Sequence, residues 1–315
     1  MATTTNLDSS YAGEASAGYV SDALLTGNTL ANGLIEVKPN VKYKEVLKVL
    51  STDGITADAS CDFDPTTTID LTERLLQPKE LQVNIEICKT PFQKDWEAIS
   101  MGYSAHDVLP KDFNDYFIGH LSSKIAEKTE QNIWSGVASN GNFDGFATLL
   151  SADADLPSEN IVTGDTVTAE NVVAELGKVV DAIPTALYGA EDMFIYVSQN
   201  VWRAYKRSLG GFASGGQGAN GYMAQGNNQD IDIQYFDGVK VVCANGLAND
   251  TMIASPKSNL FFGCGLLSDQ NEVKTIDLAN IDGSKNVRFI MRYTAGVQYA
   301  VSSSIVTYGI APVTT

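Results

Sequence analysis

Residues 110–136 read PKDFNDYFIGHLSSKIAEKTEQNIWSG, and this stretch decides how the chain is built. Phe113, Phe117, Leu121 and Ile125 recur every four residues, which puts them on one stripe of a helix. Ala126, Ile133 and Trp134 widen that face. Lys111, Asp112, Lys124, Lys128 and Glu130 fall mostly off it. Pro110 suits a first helical turn, where its missing N–H is no loss. Gly136 suits the stop. Roughly 24 residues at ~1.5 Å each make a rod about 36 Å long. The stretches on both sides of this rod bury little of their own, so it reads as a spine within an assembly.

The N-terminal flank, residues 1–33, is rich in Ala, Gly, Ser, Thr and Asn. Alone it cannot bury enough surface to offset the entropy of ordering it, so it is expected to lie on another copy of the chain. Residues 81–88, LQVNIEIC, alternate cleanly, with Leu81, Val83, Ile85 and Ile87 on one face of a strand. Ile69 and Leu71 begin another strand, and Pro78 permits a turn between the two. Val41 to Leu50 is ambiguous between strand and short helix. Residues 51–68 hold almost no large side chains. The whole reads as a two-stranded arm without a core, and such an arm is marginal unless it rests on a neighbour. Pro91 to Gly102 reads as a short helix with Phe92, Trp96 and Ile99 on one side.

Beyond the rod, Thr168 is expected to cap a helix whose Val172, Val173, Leu176, Val179, Val180 and Ile183 follow the 3.6-residue period, ending at Pro184. Met193 to Ser198 is a buried strand, followed by the helix QNVWRAYKRSL. This helix–strand–helix run suggests an α/β layer in a second domain. Residues 210–230 are rich in Gly, Asn and Gln and read as a surface loop. They follow a helix, lead to a strand and contain no lysine, which is the wrong setting for a phosphate cradle. Asp237–Gly238 is a hairpin turn. The longest alternation is C-terminal. Val287, Phe289, Met291, Tyr293, Ala295, Val297, Tyr299 and Val301 occupy every second position, about 15 residues spanning roughly 50 Å. A strand of that length could run alongside the rod.

The chain has 315 residues, 44% hydrophobic and 19% charged, with a formal net charge of −17. That is enough for one large core or two medium ones. Such an acidic chain is a poor wrapper of nucleic acid, which needs clustered Lys and Arg, although an acidic inner wall could enclose DNA without sticking to it. No apolar run approaches the ~18–20 residues of a membrane span, and the N-terminus lacks the pattern of a secretory signal. Cys61, Cys88, Cys243 and Cys264 form no CxxC pair and are expected to be free thiols. His106 and His120 are the only histidines and lack metal-ligand spacing. No catalytic residue, cofactor or metal is expected.

The order of these parts resembles the major capsid protein of tailed bacteriophages, the α+β Hong Kong 97-like fold. The residues that carry the resemblance are 42–88, 95–113, 255–269 and 286–309. It implies an N-terminal arm (1–35), an extended loop (36–90), and a peripheral domain (91–165) with its spine helix at 111–135. An axial domain (166–270) and a return to the peripheral domain (271–315) would follow. The implied role is assembly into hexamers and pentamers of an icosahedral virion shell around double-stranded DNA, built in the host cytoplasm. Implied partners are a portal, a separate scaffolding protein, since the chain begins at the arm, and a decoration protein. Candidate anchors between subunits are Leu81, Val83, Ile85 and Trp96. Some relatives link a Lys of the extended loop to an Asn on a neighbour. Lys42, Lys44 and Lys48 are available, but no motif specifies a link and none is expected.

An encapsulin-type nanocompartment would share this fold while holding a cargo enzyme. From other classes come a hydrolase using Asp107 and His106, and a secreted carbohydrate-binding protein suggested by the Gly/Asn-rich loop. The first lacks a nucleophile elbow and paired acids; the second lacks a secretion signal.

Overall fold

The computed structural model describes residues 28–52, 56, 58, 69–88, 90, 111–139, 141–210, 234–265, 274–281 and 283–311. The expected helix at 91–102, with Trp96, the loop at 211–233 and residues 1–27 of the arm lie outside them, as do Cys61 and His106.

The rod is one helix of 25 residues, Lys111–Ser135. A short turn of helix, α1 (Asn28–Ala31), precedes it in the chain, so the rod is α2. Beneath it lies the first sheet. Its strands are β1 (Glu36–Lys38), β4 (Lys79–Cys88), β10 (Leu260–Cys264), β11 (Lys274–Asp277) and β12 (Asn286–Tyr299), in the order β1-β10-β12-β11, with β4 also paired to β12. β12 is the expected C-terminal alternating strand, and it does run under the rod. Leu121 shares a cluster with Ile87, Val287 and Phe289, and the Phe117 ring lies 4.5 Å from that of Phe289.

The second sheet has six strands in the order β5-β13-β9-β6-β8-β7. They are β5 (Ile161–Val162), β6 (Met193–Val197), β7 (Gln234–Phe236), β8 (Val239–Cys243), β9 (Met252–Pro256) and β13 (Val306–Tyr308). Residues 237–238, at φ 47° and 79°, make the expected turn between β7 and β8. Two helices, α4 (Val172–Asp181) and α5 (Gln199–Gly210), share an apolar core with this sheet. α4 starts at Val172, later than Thr168 implies. Asn171 Oδ1 takes the Thr168 N–H at 2.7 Å, and this forms a turn ahead of the helix. Several strands cross the borders expected from sequence: β1 and β4 of the expected arm join the first sheet, and β5 joins the second. β10 joins the first sheet, and β13, the last strand, leaves the first sheet's side to insert between β5 and β9 in the second.

The largest core lies where the C-terminal end of α2 meets both sheets. Trp134 is fully buried there, its ring centroid 5.4 Å from Phe146 of α3 (Phe146–Ala152) and 4.9 Å from Tyr196 of β6. Gly136 ends the rod because the chain doubles back tightly. A Cβ there would sit 2.4 Å from the Phe143 carbonyl oxygen.

Two residues of the rod depart from the single-stripe pattern. Ala126 is exposed, and Glu130, expected off the buried face, is 1% exposed. The stripe describes the middle of α2, whereas near its end Thr129, Glu130, Asn132, Ile133 and Trp134 are all buried. Residues 28–41 help to cover this end as a strap across both sheets. Asn28 Nδ2 donates to the Cys243 carbonyl at 2.8 Å. Thr29 donates its N–H to Glu130 Oε2 at 3.2 Å and its hydroxyl to Glu130 Oε1. Trp134 Nε1 donates to the Thr29 hydroxyl oxygen at 2.8 Å. The Tyr196 hydroxyl donates to the Leu34 carbonyl at 2.6 Å, and β1 then pairs in parallel with β10.

Burial raises the Glu130 pKa, and the two Thr29 donors and Trp134 offset only part of that rise. A raised folded-state pKa means that the native chain binds the proton more tightly than the unfolded chain. Stability from this group is therefore lost as pH rises from the ordinary glutamate range through the raised value. Glu130→Gln removes the charge and keeps one acceptor oxygen for Thr29, while its NH2 group can donate to the Thr29 hydroxyl oxygen. We expect its stability to lack this fall, so that it gains on wild type toward neutral pH in chemical denaturation series. Parallel pH profiles for the two proteins would contradict the assignment.

Candidate functional site

The described residues hold no cluster of His, Cys, Asp or Glu able to bind a metal. His120 is half-buried on α2. Cys88, Cys243 and Cys264 form no disulfide among the described residues. The conspicuous surface is instead a hairpin, β2 (Glu45–Thr52) with β3 (Ile69–Leu76), which forms a two-stranded sheet of its own. Val41 to Leu50 thus resolves toward strand in its second half.

Antiparallel pairing opposes Val46 to Leu75, Lys48 to Glu73, Leu50 to Leu71 and Thr52 to Ile69. Side chains alternate along a strand, so these pairs share one face. That face points to solvent. Val46 is 41% exposed, Leu50 64%, Ile69 63%, Leu71 55% and Leu75 50%. A single ion pair, Lys48 to Glu73 at 3.7 Å, interrupts the apolar surface. Covering such side chains stabilises by on the order of 1 kcal/mol each.

The opposite face attaches the hairpin to the body, but only at its base. Leu47 and Leu76 are buried with Val41 against Phe261. Gly263 makes room for them, since a Cβ there would meet Leu76 Cδ2 at 2.9 Å. Arg74 completes the joint. Its guanidinium donates to Asp153 Oδ2 at 2.7 Å and stacks 4.6 Å from the Tyr299 ring centroid. The Tyr299 hydroxyl donates to the same Asp153 oxygen at 2.6 Å. Burial disfavours the Asp153 carboxylate, but donation from Tyr299, the Asp155 N–H and Arg74 outweighs it and holds the pKa below the ordinary aspartate value. The Tyr299 hydroxyl is pushed up, by burial first and then by Asp153.

The strand expected to complete the arm behaves differently. β4 pairs with β12 from Lys79↔Ala295 to Cys88↔Asn286 and belongs to the first sheet. Leu81, expected as a contact between subunits, is 5% exposed in the main core. Val83 and Ile85 are half-buried on the same face, packed under α2. The alternation LQVNIEIC was legible, but its apolar face is satisfied within the subunit. The exposed apolar residues that sequence reasoning missed are Val46, Leu50, Leu71 and Leu75. Their signal was present as two facing alternations in KYKEVLKVL and IDLTERLL, readable only with the register in hand.

A long helix over a sheet, a projecting hairpin, a second sheet with its own helices, and an N-terminal strap together match solved capsid structures. The capsid of an empty GTA particle matches with a TM-score of 0.60 and 12% identity, over 92% of this chain and 98% of that one. A structure of Microbacterium phage Oxtober96 matches at 0.54 and 14% identity, over 98% and 96%. The procapsid of satellite phage P4, which includes a size determination protein, matches at 0.52 and 11%, over 91% and 98%. This is the fold of a tailed-phage major capsid protein. No family model and no curated protein matches the sequence. In the capsid fold of this chain, the β2–β3 hairpin is the element at 36–90 that stands clear of the body.

Arg74→Ala should leave the subunit folded and loosen the hairpin base by roughly 1–2 kcal/mol. Amide hydrogen exchange should accelerate across β2 and β3 while β12 is unchanged. The depressed Asp153 pKa makes this tie fully present above the ordinary aspartate range and lost as pH falls below it. Wild type and Arg74→Ala should therefore converge in hairpin exchange at strongly acid pH, and a difference that persists there would contradict the assignment.

Proposed function

We propose that this chain is the shell subunit of a tailed-phage head, assembling into hexamers and pentamers that close around double-stranded DNA. The observation that carries this reading is the exposed apolar face of the β2–β3 hairpin on a capsid fold. A two-stranded hairpin with four or five apolar side chains in water is marginal. It becomes stable when a second copy covers it, so each subunit folds with part of its core supplied by a neighbour. Contacts of this kind build large obligate interfaces, on the order of 2,000 Å² or more. The role is structural, and the residues that matter are apolar anchors and strand edges in place of titratable groups. A portal, a separate scaffolding protein and a decoration protein are the expected partners, in the virion and during assembly in the host cytoplasm.

Electron microscopy of the chain expressed alone and with its neighbouring genes tests this directly. Closed shells are expected in at least one of the two. Soluble monomers in both would refute the reading, and shells that always enclose a cargo enzyme would move it to a nanocompartment. Deleting residues 52–66, the far end of the hairpin, should leave a soluble folded subunit that no longer builds stable shells. Whole particles should run as one band of single-chain length on a denaturing gel; a ladder would reveal covalent links between subunits.

A further inference from the structure

Basic residues of α5 gather near one edge of the second sheet, which also bears the exposed Asp237 of the β7–β8 turn, and exposed glutamates stand near the other. At the β7 edge, α5 packs over β8, and the Tyr205 hydroxyl donates to the Tyr235 carbonyl at 2.8 Å. Trp202 and Tyr205 face the core, so Arg203, Lys206 and Arg207 share the solvent face of the helix. Lys206 lies 5.0 Å from the Trp202 ring centroid, and Tyr235 is 62% exposed on the neighbouring strand. Arg203 and Arg207 make no ion pair among the described residues.

The glutamates are at the β5 edge. Glu159 stands just before β5, and Glu170 stands just before α4, which packs on β13 and β9. Both glutamates are exposed and unpaired among the described residues. The nearby lysine does not neutralise them. Lys178 is held by both oxygens of Glu175, at 2.9 and 2.8 Å, with Asp165 at 3.8 Å. Five strand spacings of ~4.8 Å separate the two edges by about 24 Å.

We propose that the α5 edge of one copy docks on the β5 edge of the next, Arg203 and Arg207 facing Glu159 and Glu170. The occupant is a second copy of this chain for three reasons. Copies that each carry −17 repel unless a basic patch meets an acidic one. A patch of Arg with an exposed Tyr has the composition of a protein contact. Its complement lies on the same molecule, at the opposite edge, so the contact is head to tail and repeats around a ring. A polyanion would fit the basic edge alone and leave the acidic edge unexplained. The inference rests on the shell reading, to which it adds the surfaces that meet within a ring.

The test compares the full-length wild type with R203E/R207E, with E159K/E170K and with all four substitutions together. Shell yield is read by electron microscopy and association by sedimentation velocity, under whichever expression condition gives wild-type shells. Each pair alone should lower the assembled fraction about tenfold, with the association rate and its salt dependence changed most. The four-substitution protein should regain most of it, because the charges are exchanged and attract again. Misfolding would not produce that rescue. Normal assembly of either pair, or a combined variant no better than its parents, overturns the edge contact and leaves the shell reading standing. Wild-type chains that never associate overturn both. Duplex DNA binding that R203E/R207E abolishes while assembly is unchanged overturns the contact in favour of a polyanion site.

Discussion

A carboxylate at 1% exposure in the largest core is the constraint around which the subunit is arranged. An isolated buried charge is expensive, so Glu130 can stay there only with donors aimed at it. Thr29 supplies two of them, one from its backbone and one from its hydroxyl. Trp134, whose indole N–H can only donate, fills a lone pair of the same hydroxyl and so turns the hydroxyl hydrogen toward the carboxylate. This ties a residue near the N-terminus to the rod 101 positions later.

From that point the strap must cross to the first sheet, and its route closes the fold. Leu34 and Ile35 are buried on the way, and β1 adds to the edge of β10. The main core therefore draws on the strap, the rod and both sheets at once. β12 extends this economy. One strand of 14 residues carries β4, β10 and β11, and the chain then turns to place β13 in the other sheet. A strap, and a strand that crosses between the two sheets, thus join them into one core.

The hairpin is the exception, and its contrast with β4 is instructive. Both have clean apolar alternation. β4 finds α2 and β12 within the subunit, and its apolar face is buried or half-buried there. β2 and β3 meet the body at their base, through Leu47, Leu76, Arg74, the Leu75 carbonyl and Glu45, so the outer face stays open. The joint at Arg74, Asp153 and Tyr299 holds the base of the hairpin while its outer apolar face stays in water.

Sequence alone determined the rod, the alternating strands, the turn at Asp237–Gly238 and the order of parts that resembles a capsid subunit. These follow from local periods of 3.6 and 2 residues and from turn chemistry, which neighbouring residues along the chain decide among themselves. Tertiary structure decided which apolar faces are spent inside. Leu81, Val83 and Ile85 look like free anchors in the sequence and are covered by α2, whereas Val46, Leu50, Leu71 and Leu75 are the ones left in water. It also decided that Glu130, polar and apparently solvent-facing by its position in the stripe, lies in the core, and that β10 and β13 exchange sides. The physical reason is common to these cases. A residue's own period says which face it occupies, but what covers that face comes from other elements along the chain, and only the folded chain brings them together.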